Sequence, residues 1–163
     1  MIRADTLVET LLLRARAAKV MIATAESCTG GMLGKLITDI PGASDIYERG
    51  FITYSNRAKE ELLGVHAATL HHHGAVSVET AAEMAAGALH NSHADLAVST
   101  TGVAGPGSHG SKPEGLVCFG LARRGGPTTA GLIEFGARGR NMVRALACDH
   151  ALDLLIAALP SNA

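Results

Sequence analysis

The sequence lacks paired cysteines. Cys28, Cys118 and Cys148 are odd in number and share no motif spacing, which argues against a disulfide scaffold or a zinc knuckle and fits a reducing compartment. It also lacks an excess of either charge. The formal net charge is −1, so no global basic field is available to hold nucleic acid, and a small molecule is the expected partner instead. Long apolar runs are missing as well. Asp5 and Glu9 interrupt the first apolar stretch, which therefore does not read as a signal peptide. The segment from Val143 to Leu159 is broken by Asp149, His150 and Asp153 and is too short to span a bilayer. No membrane partner and a cytoplasmic location are the expectation. Nor is there an internal repeat or a linker with shifted composition, so residues 1–163 read as a single domain. A composition of 47% hydrophobic and 18% charged residues excludes a disordered chain and supplies a sizeable core.

What is present is an alternation of helical and extended periodicities. Leu7, Val8, Leu11, Leu12 and Ala15 recur at helical spacing and predict a helix over 4–18. A buried strand over 19–25 follows, then a helix marked by Met32, Leu33, Leu36, Ile37 and Ile40 that Pro41-Gly42 must end. Residues 47–54 read as a strand, 56–63 as a short helix closed by Gly64, and 67–72 as another. Ser77 is a plausible N-cap for a helix from Val78 to Asn91. A strand over 96–100 leads into residues 101–114, whose four glycines and two prolines predict a long loop. Strands over 116–122 and 128–135 flank Arg124-Gly125-Gly126-Pro127, a hairpin signal, and the last helix begins near Arg140. A tight hairpin joins antiparallel neighbours, so the expected sheet is mixed and lies between helices.

The segment Ala25-Glu26-Ser27-Cys28-Thr29-Gly30-Gly31 carries the chemistry. A small-residue turn between a buried strand and a helix starting near Thr29 is expected to leave the helix's first N–H groups unpaired, at a spot where Ser27, Cys28 and Thr29 also present their side chains. That arrangement suits an anion and a nucleophile. Downstream, Phe51 to Lys59 offers a tyrosine and a lysine, Tyr54 and Lys59. A serine hydroxyl attacks an amide only if a neighbouring base takes its proton, and Lys59 can serve if burial disfavours its charged form. Tyr54 could relay the proton or orient the amine. The N–H groups of Thr29, Gly30 and Gly31 are local candidates for the oxyanion, and Gly102, Gly105 and Gly107 could admit close backbone approach to a ligand.

Four ordered blocks give a resemblance. Residues 25–31, Arg49-Gly50-Phe51-Ile52-Thr53-Tyr54-Ser55-Asn56 with Lys59, Gly74-Ala75-Val76-Ser77, and Thr101-Gly102-Val103-Ala104-Gly105-Pro106-Gly107 followed by Lys112-Pro113 together resemble the C-terminal domain of the CinA family over practically the whole chain. The resemblance implies a three-layer α/β/α fold with a mixed, mostly parallel sheet of about five strands. It further implies hydrolysis of the carboxamide of nicotinamide mononucleotide to nicotinate mononucleotide and ammonia, with no metal and no cofactor, in an expected homo-oligomer. Ser27 is then the nucleophile and Lys59 its base, with Tyr54 alongside. Glu26, Cys28, Thr29, Gly30, Gly31, Thr101, Gly102, Ala104, Gly105 and Arg140 are the expected substrate-binding residues. The family's older name suggests an alternative, a catalytically silent nucleotide-binding module serving a competence or DNA-damage response, and the same centre could act on another small amide.

Each residue also has a plainer reading. Ser27 or Thr29 could be an N-cap, Lys59 an exposed helix lysine, and Glu26 either a counter-charge for the substrate's pyridinium or a charge at a helix start. Cysteine is among the most often buried residues, so all three are read as core. His71-His72-His73 reads as a solvated turn, since metal sites draw on separated ligands. The loop after Gly102 matches neither a Walker A pattern nor a dinucleotide fingerprint. Three departures from the family pattern concern the substrate rather than the chemistry: Ser108-His109-Gly110-Ser111 replaces a glycine- and acid-rich stretch, Glu114 stands where valine is usual, and Arg138-Gly139-Arg140 has lost an acid.

Overall fold

The computed structural model describes residues 2–161. In chain order its elements are α1 (Ile2–Ala18), β1 (Ile22–Glu26), α2 (Met32–Thr38), β2 (Tyr47–Ile52), α3 (Asn56–Leu63), α4 (Ala67–His73), α5 (Val78–His90), β3 (Leu96–Gly102), β4 (Leu116–Arg123), β5 (Thr128–Glu134) and α6 (Arg140–Ala157). A short 3-10 turn, Ala43–Asp45, precedes β2. The strands form one sheet in the order β2-β1-β3-β4-β5. β1 is parallel to both β2 and β3, whereas β3–β4 and β4–β5 are antiparallel. β4 alone therefore runs against the other four.

Local chemistry explains the boundaries. In α1 the apolar residues Val8, Leu11, Leu12 and Ala15 share one face and pack into the largest core cluster. Lys19 then takes a left-handed conformation (φ 56°) and the Val20 N–H bonds back to the Ala15 carbonyl at 2.9 Å. That helix-ending turn delays the strand to Ile22, later than the apolar run from residue 19 suggests. Ser55 caps α3 by accepting from the Ala58 N–H at 3.0 Å, and Gly64 ends it at φ 66°. Ser77 caps α5 in the same way, accepting from the Thr80 N–H at 3.1 Å.

Helices cover both faces of the sheet. On one side α1, α2 and α6 pack against Ile22, Leu96, Val98 and Phe119. On the other, Leu63, Leu70, Met84 and Ala88 of α3, α4 and α5 pack against Ala23, Ala25 and Ala97. Small residues let α5 come close. Ser99 Oγ donates to the Ala81 carbonyl at 2.6 Å, and a Cβ at Gly120 would run into that same carbonyl. Because β1 continues to β2 on one side and the chain returns to β3 on the other, the carboxyl ends of β1 and β3 flank the point where strand order reverses. A crevice opens there in sheets of this kind.

Candidate active site

Ser27 and Thr101 mark this crevice from either side. Ser27 follows β1 directly, and its N–H donates to the Thr100 carbonyl of β3 at 2.9 Å, prolonging the ladder by one rung. Thr101 and Gly102 belong to β3 rather than to a loop, since the β3–β4 pairing continues to Gly102 opposite Val117. Thr101 Oγ1 donates to the Ala75 carbonyl at 2.7 Å and so fixes the Gly74–Ser77 segment beside the crevice.

Lys59 enters from α3, thirty-two residues beyond Ser27. Its Nζ donates to Ser27 Oγ at 2.8 Å and to the Thr53 carbonyl oxygen at 2.8 Å. Only 1% of Lys59 and 8% of Ser27 is exposed, so the ammonium has left water without gaining a carboxylate in these two contacts. Burial therefore pushes its pKa down to about 8. About a tenth of the amine is then neutral at pH 7, and half at about pH 8. Cys28, adjacent in sequence, is buried in the core cluster, and burial raises its thiol to about 12. It stays protonated and is a poor nucleophile. Cys118 and Cys148 are also buried.

The turn after Ser27 departs from expectation. α2 begins at Met32, after Gly30 (φ 55°) and Gly31 (φ 97°), and its first N–H groups are not open to a ligand. Glu26 fills the position: Oε1 accepts from Gly31 N–H at 3.2 Å and Leu33 N–H at 2.9 Å, and Oε2 from Gly34 N–H at 3.0 Å. Thr29 Oγ1 adds a bond to Glu26 Oε1 at 2.7 Å and one with Thr100 Oγ1 at 2.8 Å. Glu26 is 2% exposed. A carboxylate held by several N–H donors at a helix start is satisfied internally, and these bonds tie the Ser27 turn to the start of α2. Arg144 of α6 holds the same turn from the opposite side, its Nε donating to the Cys28 carbonyl at 3.1 Å and Nη2 to the Thr29 carbonyl at 2.9 Å.

A cavity of about 310 Å³ opens above Ser27 and Lys59, lined also by Cys28, Tyr54, Ala75–Val76, residues 101–109 and Arg140. The structure thus brings together Ser27, Cys28, Lys59, Tyr54, Thr101, Gly102, Ala104, Gly105 and Arg140 of the residues singled out in the sequence. It leaves Glu26, Thr29, Gly30 and Gly31 outside the lining. Tyr54 is 62% exposed and its hydroxyl accepts from Arg140 Nη2 at 2.7 Å, at the mouth and not on Lys59. Arg140 Nη1 donates to the Gly105 carbonyl at 2.7 Å, so one guanidinium links the loop to Tyr54. Sequence reading missed Val76, His109 and Arg144. Arg144 was within reach of it, since it lies one helical turn after Arg140 on the same face. His71, His72 and His73 stand exposed at the end of α4, with His73 Nδ1 3.7 Å from Glu79.

Comparison with known proteins agrees with this architecture. Residues 4–159 match the CinA C-terminal domain. A nicotinamide-nucleotide amidohydrolase, PncC, from Enterobacter agglomerans is 48% identical over 132 residues, 80% of each chain. A CinA-like protein from Chloroherpeton thalassium is 58% identical over 102 residues, which is 62% of this chain and 24% of that protein. A putative competence-damage inducible protein from Caldanaerobacter subterraneus is 50% identical over 135 residues, 82% of this chain and 32% of that one. The chain thus spans about a quarter to a third of the length of such curated relatives. Among solved structures, the competence/damage inducible protein CihA of Agrobacterium tumefaciens superposes with a TM-score of 0.92 at 41% identity, covering 95% of this chain and 94% of that one. A CinA superfamily protein of Escherichia coli does so at 0.90 and 34%, covering 94% and 90%. The chain belongs to the CinA C-terminal domain family.

Proposed function

We propose that the chain hydrolyses the carboxamide of nicotinamide mononucleotide to nicotinate mononucleotide and ammonia. One observation carries the reading: a buried lysine with a lowered pKa donates a 2.8 Å hydrogen bond to a serine hydroxyl at the floor of a cavity. The amidohydrolase from Enterobacter agglomerans, similar along 80% of both chains, supports the choice of substrate.

In this mechanism neutral Lys59 takes the proton of Ser27 Oγ as the oxygen attacks the amide carbon. The C–N bond then breaks and the proton passes from Lys59 to the leaving nitrogen, which departs as ammonia and leaves an ester on Ser27. Water attacks the ester with Lys59 again as base, releasing the carboxylic acid and restoring the hydroxyl. The oxyanion needs preorganised donors. With the N–H groups of Gly31, Leu33 and Gly34 spent on Glu26, the backbone N–H groups of Cys28 and Ala104, both on cavity-lining residues, are assigned that role. Tyr54, joined to Arg140, positions the mouth of the site and carries no proton in this scheme.

Ammonia release from nicotinamide mononucleotide, coupled to a dehydrogenase readout, tests the proposal: turnover supports it, and its absence at high protein concentration refutes it. Many relatives carry names of the CinA-like or competence-damage type, which favours a second reading, a silent nucleotide-binding module. Ligand-induced thermal stabilisation without ammonia release would select that one.

A further inference from the structure

We infer that Ser108, His109 and Arg140 form an anion subsite at the mouth of the cavity, and that His109 sets the preference for a phosphorylated over an unphosphorylated amide. The position of the amide rests on the Ser27–Lys59 reading; the anion subsite does not.

The cavity is graded from floor to rim. Ser27 and Lys59 are buried at one end, while Ser108, His109 and Arg140 are exposed at the other. No carboxylate is among the residues lining it, whereas Lys59, Arg140 and His109 all are. A wall with cationic and neutral donors and no acid favours a ligand whose outer end is an anion. The nearby acid of the loop lies outside that lining: Glu114 Oε2 accepts from the Gly107 N–H at 3.1 Å. That bond also removes the Gly107 N–H as a phosphate donor, so recognition falls to side chains.

Two of those side chains are held ready. Arg140 spends one N–H of each terminal nitrogen on Gly105 and Tyr54, leaving its other donors for a ligand. His109 sits in a turn closed by reciprocal backbone bonds with Lys112, at 2.9 and 3.0 Å, and its imidazole makes no hydrogen bond or ion pair within the described residues. An uncommitted ring and an anchored guanidinium lining the same cavity suit a phosphomonoester, which offers several strong acceptors.

The test uses ribose and ribose 5-phosphate as calorimetric probes, and nicotinamide riboside and nicotinamide mononucleotide as substrates. Ribose 5-phosphate should bind at least about tenfold more tightly than ribose, and His109→Ala should weaken it by about tenfold. In turnover the same variant should raise KM for the mononucleotide by about tenfold with kcat held within about twofold, leave the riboside unchanged, and be rescued by His109→Arg. Equal binding of the two sugars, or equal effects of His109→Ala on both substrates, would overturn the subsite. If no amide is hydrolysed, ribose 5-phosphate binding that depends on His109 would uphold the subsite while removing the amidase reading.

Discussion

Lys59 Nζ and Ser27 Oγ are 2.8 Å apart, and the lysine's other hydrogen bond ends on the Thr53 carbonyl and not on a carboxylate. A carboxylate there would lock the ammonium in its charged form. A carbonyl orients it without doing so, and burial then lowers the pKa to about 8. The turn after strand β1 supplies the serine and helix α3 the lysine, so the pair depends on tertiary packing.

The proposed mechanism requires neutral Lys59 as base, so the rate should rise with pH and level off above about 8. Lys59→Arg, charged at every accessible pH, should lose nearly all activity. A flat profile from pH 6 to 10, or a normal rate for Lys59→Arg, would assign the proton to another group.

The same shift bears on stability. The folded pKa lies below the unfolded value of 10.5, so between the two the unfolded chain binds more protons and stability rises with pH. Compared with Lys59→Met, the wild type should gain up to roughly 3 kcal/mol across that window in urea unfolding. No pH dependence of the difference would mean that the amine is charged in the folded protein.

Glu26 is expected to act on the fold. Glu26→Ala leaves the Gly31, Leu33 and Gly34 N–H groups without their acceptor and should cost about 3 kcal/mol in denaturant unfolding. A variant of normal stability with a raised KM would instead return Glu26 to the role of a counter-charge for the substrate.

Arg144 should behave as a positioning residue. Arg144→Ala frees the Cys28 and Thr29 carbonyls, loosening the turn that carries Ser27. It should lower kcat by about tenfold or more while KM changes little. Rescue by Arg144→Lys should be partial, because one ammonium replaces a fork that reaches two carbonyls. A pure KM effect would place Arg144 on the substrate.

The order of elements was legible because apolar periodicity records which face is buried, and Gly64 and Ser77 announce their caps chemically. Ser27 and Lys59 were legible through the ordered blocks, although nothing local told that Lys59 is buried. Asn56-Arg57-Ala58-Lys59-Glu60-Glu61 reads as a solvated helix, and only the packing of α3 beneath the β1 turn removes the lysine from water. Glu26 shows the opposite limit. Its position before a helix was visible, but not that Gly30 and Gly31, both at positive φ, fold the helix start back over its carboxylate. Arg144 lies more than a hundred residues from the turn it holds, so its spacing from Arg140 was visible but its partners were not, and His109 enters the cavity only because its loop closes on Lys112.

The most direct test is acid-quenched mass spectrometry of the protein during turnover of nicotinamide mononucleotide, with Ser27→Ala and Cys28→Ala alongside. The expected result is a substrate acyl group, attached as an ester, on the peptide containing Ser27, present in Cys28→Ala and absent with all ammonia release in Ser27→Ala. An adduct on Cys28, or sustained turnover by Ser27→Ala, would contradict the assignment of Ser27 and Lys59 as nucleophile and base.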